Sequence, residues 1–105
     1  MKSEEAIIIE TSSNSKKILK TISNKLLNEK LTPCVHIIEI LDSSYIWEGE
    51  IVTKKEYKMI IKTTEKNEKS IINIIHDLHN YSVCEISKHP FSILNDEYKN
   101  WFNNY

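Results

Sequence analysis

The stretch CVHIIEILDSSYIWEGEIVTKKEYKMIIKTT, residues 34–64, has two apolar arms around a single glycine and predicts one long β-hairpin. Gly49 is the only glycine in the chain and follows the β-favouring run Tyr45–Trp47. A two-residue turn at Glu48 and Gly49 requires positive φ, which glycine adopts without steric cost. We therefore expect the hairpin tip at this pair, and a bend or bulge at the polar run Asp42–Ser44.

The segments around the hairpin alternate between strand and helix patterns. Short apolar or alternating runs predict strands, and apolar residues three and four positions apart predict amphipathic helices. The predicted segments are a strand at Ala6–Glu10, a helix at about Ser15–Lys30, a helix capped by Asn67, a fourth strand that alternates over Tyr81–Ile86 and ends near His89 and Pro90, and a short helix at Asn95–Phe102.

The resulting order is βαββαβ with an additional C-terminal helix. This order predicts an α+β, ferredoxin-like fold, in which a four-stranded antiparallel sheet has helices on one face. That topology places the first and third strands at the sheet centre, where the Ile-rich segments Ala6–Glu10 and Met59–Ile61 belong. A length of 105 residues fits a single domain, residues 1–105.

Charge and composition argue against several classes of partner. Fourteen cations, all of them lysine, face fifteen acids, for a net charge of -1. Without arginine or a basic excess we expect no nucleic-acid partner. The apolar run Ala6–Ile9 is too short for a signal sequence or a membrane span, so we expect a cytoplasmic protein with no membrane partner. Cys34 and Cys84 form no CxxC motif and are expected to be buried, reduced thiols.

Part of the apolar surface has no cover within such a domain. Two helices shield one sheet face, which leaves the other face, the hairpin tip and the aromatic tail exposed to water. A further copy of the chain is the expected cover, because the surfaces are too large for one short chain to bury. The predicted interface residues are Tyr45, Ile46, Trp47 and Trp101.

Five segments, taken in order, resemble the CutA divalent-cation tolerance protein family. The resemblance implies a homotrimer in which hairpins and edge strands pair around a three-fold axis. It also implies a role in tolerance of divalent metals, mainly copper, with weak binding of copper or another divalent cation in clefts between subunits, and no enzymatic reaction. The matching segments are LNEKLTPCV (27–35), SSYIWEGEI (43–51), MIIKT (59–63), HNYSVCEI (79–86) and YKNW (98–101).

The resemblance indicates two metal-ligand positions. Glu10 stands where the family's copper-tolerance member has a cysteine, and His79 keeps one of that member's two adjacent histidines. His79 and Glu10 are therefore the predicted metal ligands, although copper(I) prefers thiolate and imidazole ligands to carboxylate. His76 is three residues before His79 and could share a metal with it, with a solvated helix end as the alternative.

Four further residues are candidates for a ligand cleft: Lys62, Tyr81, Glu85 and Trp47. Lys62 is expected beside Glu85 or Glu39, where it binds an anion or forms a structural ion pair. Trp47 stacks on a ligand or packs between subunits. The alternative function is a trimeric small-ligand sensor or protein-docking scaffold that resembles the PII signalling proteins.

Overall fold

The computed structural model describes residues 5–105, which form one antiparallel sheet and its covering helices. The element order confirms the predicted βαββαβ pattern with a C-terminal helix. A short 3₁₀ helix, Glu65–Asn67, precedes the second α-helix. The elements are β1 (Ala6–Ser13), α1 (Lys16–Asn28), β2 (Cys34–Trp47), β3 (Glu50–Thr64), α2 (Glu68–Leu78), β4 (Ser87–Pro90) and α3 (Asp96–Asn103).

The sheet order is β2-β3-β1-β4, so β1 and β3 are the central strands, as predicted. Ile9 pairs with Ile61 and Thr11 pairs with Met59, and all four side chains lie on the face that α1 and α2 cover. Burial of these aliphatic groups is the main stabilising term of the fold. The buried apolar cluster consists of Ile7, Ile9, Leu19, Ile22, Leu26, Met59, Ile61, Ile71, Ile74 and Ile75.

The opposite face of the sheet, called here the open face, is covered only in part by α3. The Lys62 ammonium, which lies on the open face, is 6.0 Å from the centre of the Tyr98 ring. Phe102 is buried and packs edge-on against Phe91, with 5.7 Å between ring centres. The Tyr105 hydroxyl donates to the Lys30 carbonyl at 2.9 Å and fixes the end of the chain.

The hairpin has the predicted tip and the predicted irregularity. Glu48 and Gly49 have φ of 50° and 79°, the positive values that a tight two-residue turn requires. A register shift between Ile40 and Ser43 interrupts the ladder, which is the bulge expected at Asp42–Ser44. The molecule measures 50 × 26 × 20 Å because the hairpin extends beyond the helices.

The fourth strand was predicted to begin at Tyr81 and to end near His89 and Pro90; the end is confirmed and the start is wrong. The strand is Ser87–Pro90, and residues 81–86 form an irregular segment before it. The Tyr81 N–H donates to His79 Nδ1 at 3.0 Å instead of to a neighbouring strand. Pro90 is tolerated because β4 is an edge strand, where a missing donor costs no ladder bond.

The helix starts agree with the sequence signals only in part. Ser15 Oγ accepts from the Ile18 N–H at 3.2 Å, which is a side-chain N-cap of α1. Asn67 occupies the N-cap position of α2, but its amide donates to the Leu31 carbonyl at 3.1 Å and does not cap the helix. Asn67 therefore ties α2 to the loop after α1.

Candidate functional site

A cavity of about 790 Å³ lies between the hairpin and the segment that follows α2. The hairpin supplies Tyr45, Trp47 and Lys54, and the following segment supplies Tyr81 and Glu85. The side chains that point into it include aromatic rings, lysines and carboxylates. We call this cavity the cleft; its volume is in the range of small-molecule sites, about 300–1,000 Å³.

The most buried polar group of the cleft is the Glu56 carboxylate, which is 5% exposed. Ser43 Oγ donates to Glu56 Oε1 at 2.5 Å, and the Tyr81 hydroxyl donates to Glu56 Oε2 at 2.5 Å. Burying a carboxylate without hydrogen-bond donors costs roughly several kcal/mol of free energy. These two donors therefore stabilise the buried Glu56 side chain. The sequence analysis did not select Glu56, although it selected Tyr81.

The bulge in β2 explains how this group forms. Glu56 pairs with Ile40 before the register shift, and Ser43 is the first residue of β2 to resume pairing after it. The shift brings the Ser43 hydroxyl to the Glu56 carboxylate. A polar residue within the predicted bulge, together with a glutamate at about the same distance from the tip on the other arm, is the sequence signal that could have identified the pair.

The tyrosine and the lysine of the cleft have perturbed ionisation. Burial, and then the hydrogen bond to the Glu56 carboxylate, raises the pKa of Tyr81 to about 12. The Lys54 ammonium is 5.3 Å from the centre of the Tyr81 ring and 5.7 Å from that of Tyr45. Its interaction with the Tyr45 hydroxyl raises the pKa of Lys54. At neutral pH the cleft therefore presents a phenol, an ammonium group and a shielded carboxylate.

His79 lies beside the cleft and uses both ring nitrogens for backbone contacts. Nδ1 accepts the Tyr81 N–H at 3.0 Å, so it carries the lone pair. Nε2 is then protonated and donates to the Ser12 carbonyl at 2.9 Å. Burial lowers the pKa of His79, which favours this neutral form. In this arrangement neither nitrogen offers a free lone pair to a metal ion.

Glu10, the other predicted metal ligand, lies on the open face in an ion-pair group. Lys58 Nζ is 3.2 Å from its Oε1, and His89 Nε2 is 3.6 Å from its Oε2. Within residues 5–105 no three side chains among His, Cys, Asp and Glu come together as a metal site. His79 and Glu10 thus do not fit a copper centre in the geometry found here, and their role as ligands stays a prediction.

The remaining candidates divide between the cleft and other surfaces. Trp47, Tyr81 and Glu85 line the cleft, together with the predicted interface residues Tyr45 and Ile46. Lys62 was expected beside Glu85 or Glu39, and this is wrong. It contacts Tyr98, while Glu39 pairs with Lys55 at 3.1 Å and Glu85 accepts from Ser87 at 2.7 Å. The reason is register, because Lys62 pairs with Cys34 at the far end of β2. Trp101 is half-exposed on α3.

Fold and cleft together define a small ferredoxin-like α+β domain with a ligand-sized cleft beside an extended β-hairpin. The family model described as CutA1 divalent ion tolerance protein matches residues 7–105. The chain therefore belongs to the CutA1 family.

Individual relatives agree with this assignment. The divalent-cation tolerance protein CutA of Thermus thermophilus is 35% identical over 98 residues, 93% of each chain. The protein of the same description from Thermotoga maritima is 38% identical over 95 residues, 90% of this chain and 92% of its own. The crystal structure of CutA1 from Oryza sativa superposes with a TM-score of 0.89 at 29% identity, covering 97% of this chain and 94% of that one.

The relatives correct the expected location. One structural relative is described as a periplasmic divalent cation tolerance protein CutA from Archaeoglobus fulgidus, and one sequence relative as a chloroplastic CutA of Arabidopsis thaliana. The prediction of a cytoplasmic protein is therefore wrong, because relatives of this chain are described as proteins of other compartments. Among residues 5–105 no helix has both the length and the apolar character that a membrane crossing needs.

Proposed function

We propose that this protein serves divalent-cation tolerance as a homotrimer whose clefts lie between subunits. The observation that supports the proposal is the apolar surface of the hairpin. Leu41, Ile46 and Ile51 are between 70% and 80% exposed, and Trp47 is half-exposed beside the cleft. Surfaces of this kind mark association sites, and closed symmetric assembly of identical chains is the commonest form of association.

The backbone of the hairpin also favours assembly. β2 is an edge strand over Cys34–Trp47, so its outer N–H and C=O groups are available to a further strand. A neighbouring subunit that pairs there covers the exposed apolar residues and closes the open side of the cleft. The resemblance to the family, in which hairpins and edge strands of three subunits pair, supports three copies.

The assembly is tested by sedimentation equilibrium with two matched substitutions. We expect the wild-type protein to sediment at three times 12.4 kDa. Ile51→Glu changes a residue that is 80% exposed on the hairpin, and Leu94→Glu changes one that is 94% exposed elsewhere. Ile51→Glu should weaken the trimer and Leu94→Glu should not. A folded monomer at micromolar concentration, or equal effects of both substitutions, contradicts the proposal.

The ligand we propose is copper or another divalent cation, bound weakly and by oxygen atoms. The cleft offers the exposed Glu85 carboxylate, whereas the Glu56 oxygens already accept hydrogen bonds. Lys54 and Lys58 also line the cleft, and their charges oppose a cation. Carboxylate and hydroxyl oxygens favour hard cations over copper(I). We therefore expect low affinity, with copper(II) bound more tightly than manganese(II), as at any site of this kind.

Calorimetric titration with copper(II) and with manganese(II) tests this binding. Manganese(II) is included because it prefers oxygen ligands, so that its heat reports on the cleft and not on thiols. Glu85→Gln should weaken manganese(II) binding, and Glu97→Gln, at an exposed glutamate of α3, is the matched control. Absence of saturable heat in the wild type, or equal affinities of the two variants, removes the cleft as the cation site.

The proposal assigns no reaction to the cleft. Its buried carboxylate accepts hydrogen bonds on both oxygens, and the raised pKa keeps Tyr81 protonated at neutral pH. Neither group is therefore set up as a base or a nucleophile. A substrate screen that gave turnover lost on Tyr81→Phe would contradict this part.

A small anion is a second candidate ligand, as expected for a sensor that resembles the PII proteins. The support is the Lys54 ammonium, which lies over two tyrosine rings and has no carboxylate within ion-pair distance among residues 5–105. Thermal-shift measurements with carboxylate and phosphate ligands test this alternative. Stabilisation by an anion that Lys54→Met abolishes supports it, and no stabilisation by any anion rejects it.

A further inference from the structure

The outward side of α1 concentrates positive charge in a chain that is otherwise acidic. Residues 16–30 contain five lysines and one acid, whereas the rest of the chain contains nine lysines and fourteen acids. Three of the five lysines are exposed and, among residues 5–105, have no carboxylate within ion-pair distance. We call these three side chains the lysine face: Lys16, Lys17 and Lys20.

The lysine face stays open to solvent in the proposed trimer. Leu19, Ile22 and Leu26 are buried and attach α1 to the covered face of the sheet, and the helical period places the lysines away from them. The surfaces proposed for assembly are the hairpin and the outer edge of β2, and neither includes a residue of α1. The open face lies on the opposite side of the sheet.

The positions of these lysines oppose the stability of the helix. The first turn of α1 contains no acid, and Lys16 and Lys17 lie at the positive end of the helix dipole, where a cation is unfavourable. Lys16 and Lys20 are four residues apart, so their like charges repel each other. Glutamate has a similar helix propensity and would remove both effects. Neighbouring choices that disfavour folding are expected where the residues serve binding.

We propose that the lysine face docks an acidic segment of a partner protein, bound in an extended conformation. Lys16 and Lys20 are separated by about 6 Å along the axis of α1, at about 1.5 Å per residue. Alternate side chains of an extended segment are separated by about 6.6–6.8 Å. Two carboxylates on one side of such a segment therefore reach both ammonium groups. This surface is separate from the cleft and from cation binding, because no residue of α1 lines the cleft.

Two other polyanions fit the lysine face less well. A helix that lies on an anionic membrane inserts its large apolar residues, and those of α1 are used in the core: Leu19, Ile22 and Leu26 are fully buried. Nucleic acid is bound mainly through phosphate, for which arginine provides paired donors, and the chain contains no arginine. Carboxylates of a protein segment are the remaining anions that a row of lysines suits.

Fluorescence anisotropy with a labelled peptide of alternating glutamate and serine tests the docking. We expect the wild-type protein to bind the peptide in low salt and to release it as the salt concentration rises. The triple variant K16Q, K17Q and K20Q should bind at least tenfold more weakly. The triple variant K66Q, K69Q and K99Q is the matched control, because it removes the same charge from three exposed lysines elsewhere, and it should bind nearly as the wild type does.

Two further measurements separate lost docking from lost folding. The lysine-face variant should be at least as stable as the wild type in thermal unfolding, since it loses unfavourable charges at the start of α1. Manganese(II) binding in the cleft should also persist in this variant, so the two proposals fail separately. Three results overturn the docking proposal: no salt-sensitive binding of the peptide, equal losses in the two triple variants, or tighter binding of phosphatidylserine vesicles or double-stranded DNA than of the peptide.

Discussion

Tyr81→Phe tests the hydrogen-bonded group at the base of the cleft. The substitution removes one hydroxyl and keeps the ring, so the Glu56 carboxylate loses the donor on Oε2 and keeps the donor from Ser43. Because Glu56 is only 5% exposed, water does not readily replace the lost donor. A hydrogen bond to a charged group contributes about 1.5–3 kcal/mol, so we expect a loss of about 2 kcal/mol in the free energy of unfolding.

The assay is guanidinium chloride unfolding at one fixed protein concentration, since association adds to the measured stability. With a denaturant slope of roughly 3 kcal/mol per molar for a domain of this size, the midpoint should fall by about 0.7 M. Tyr105→Phe is the matched control, because its hydroxyl donates to the Lys30 carbonyl, a neutral acceptor in exposed surroundings. That variant should lose about 0.5–1 kcal/mol.

A double-mutant cycle and a pH series make the reasoning refutable. In a Glu56→Gln background, Tyr81→Phe should cost much less, since the charged acceptor is gone. The pKa of Tyr81 rises from 10 to about 12 on folding, so its contribution to stability is complete below pH 10 and is lost as the pH approaches 12. The gap between wild type and Tyr81→Phe should therefore close over that range. Equal costs of Tyr81→Phe and Tyr105→Phe, or an undiminished cost beside Glu56→Gln, would refute the argument.

Three further predictions concern single positions. Gly49→Ala should lower the free energy of unfolding by about 1 kcal/mol, because a side chain at φ of +79° strains the backbone. No described atom lies within 4 Å of the added Cβ, so the loss, measured by denaturant unfolding, comes from the backbone alone. Thr11→Val should raise that free energy by about 1 kcal/mol, because Thr11 Oγ1 is buried and has no hydrogen-bond partner among residues 5–105; an unchanged or lower value contradicts this. Folding lowers the pKa of His79 from 6.5, so the contribution of its neutral ring to stability is complete above pH 6.5 and is lost as the pH falls below that value. His79→Gln should therefore be less sensitive to acid, as measured by unfolding in a second series that extends below pH 6.5.

The strand and helix pattern was predictable because it depends on local signals. The single glycine fixed the hairpin tip, and the periods of the apolar residues separated strands from helices. The bulge was also predictable, because three polar residues interrupt an apolar strand. The prediction failed at the start of β4, because the alternation over Tyr81–Ile86 is also typical of a strand. Its alternate side chains, Cys84 and Ile86, do pack against the core, but without a neighbouring strand.

The candidate site was predictable only for residues whose position follows from their own place in the sequence, without knowledge of the strand register. Tyr81, Glu85 and Trp47 line the cleft, because they flank the hairpin tip and the end of α2, and their role as ligand contacts stays a prediction. Glu56 was missed because the bulge changes which residues face each other across β2 and β3, by an amount the sequence does not state. Lys62 was misplaced for another reason: it faces Cys34 at the start of β2, whereas Glu39 pairs with Tyr57 further along the ladder.

The Glu56 carboxylate connects three segments that are far apart in the chain. It is part of β3, Ser43 follows the bulge of β2, and Tyr81 belongs to the segment after α2. The bulge directs the outer half of the hairpin, and the two hydrogen bonds hold that bulge against the body of the domain. The direction of the hairpin and the shape of the cleft therefore depend on the same buried group.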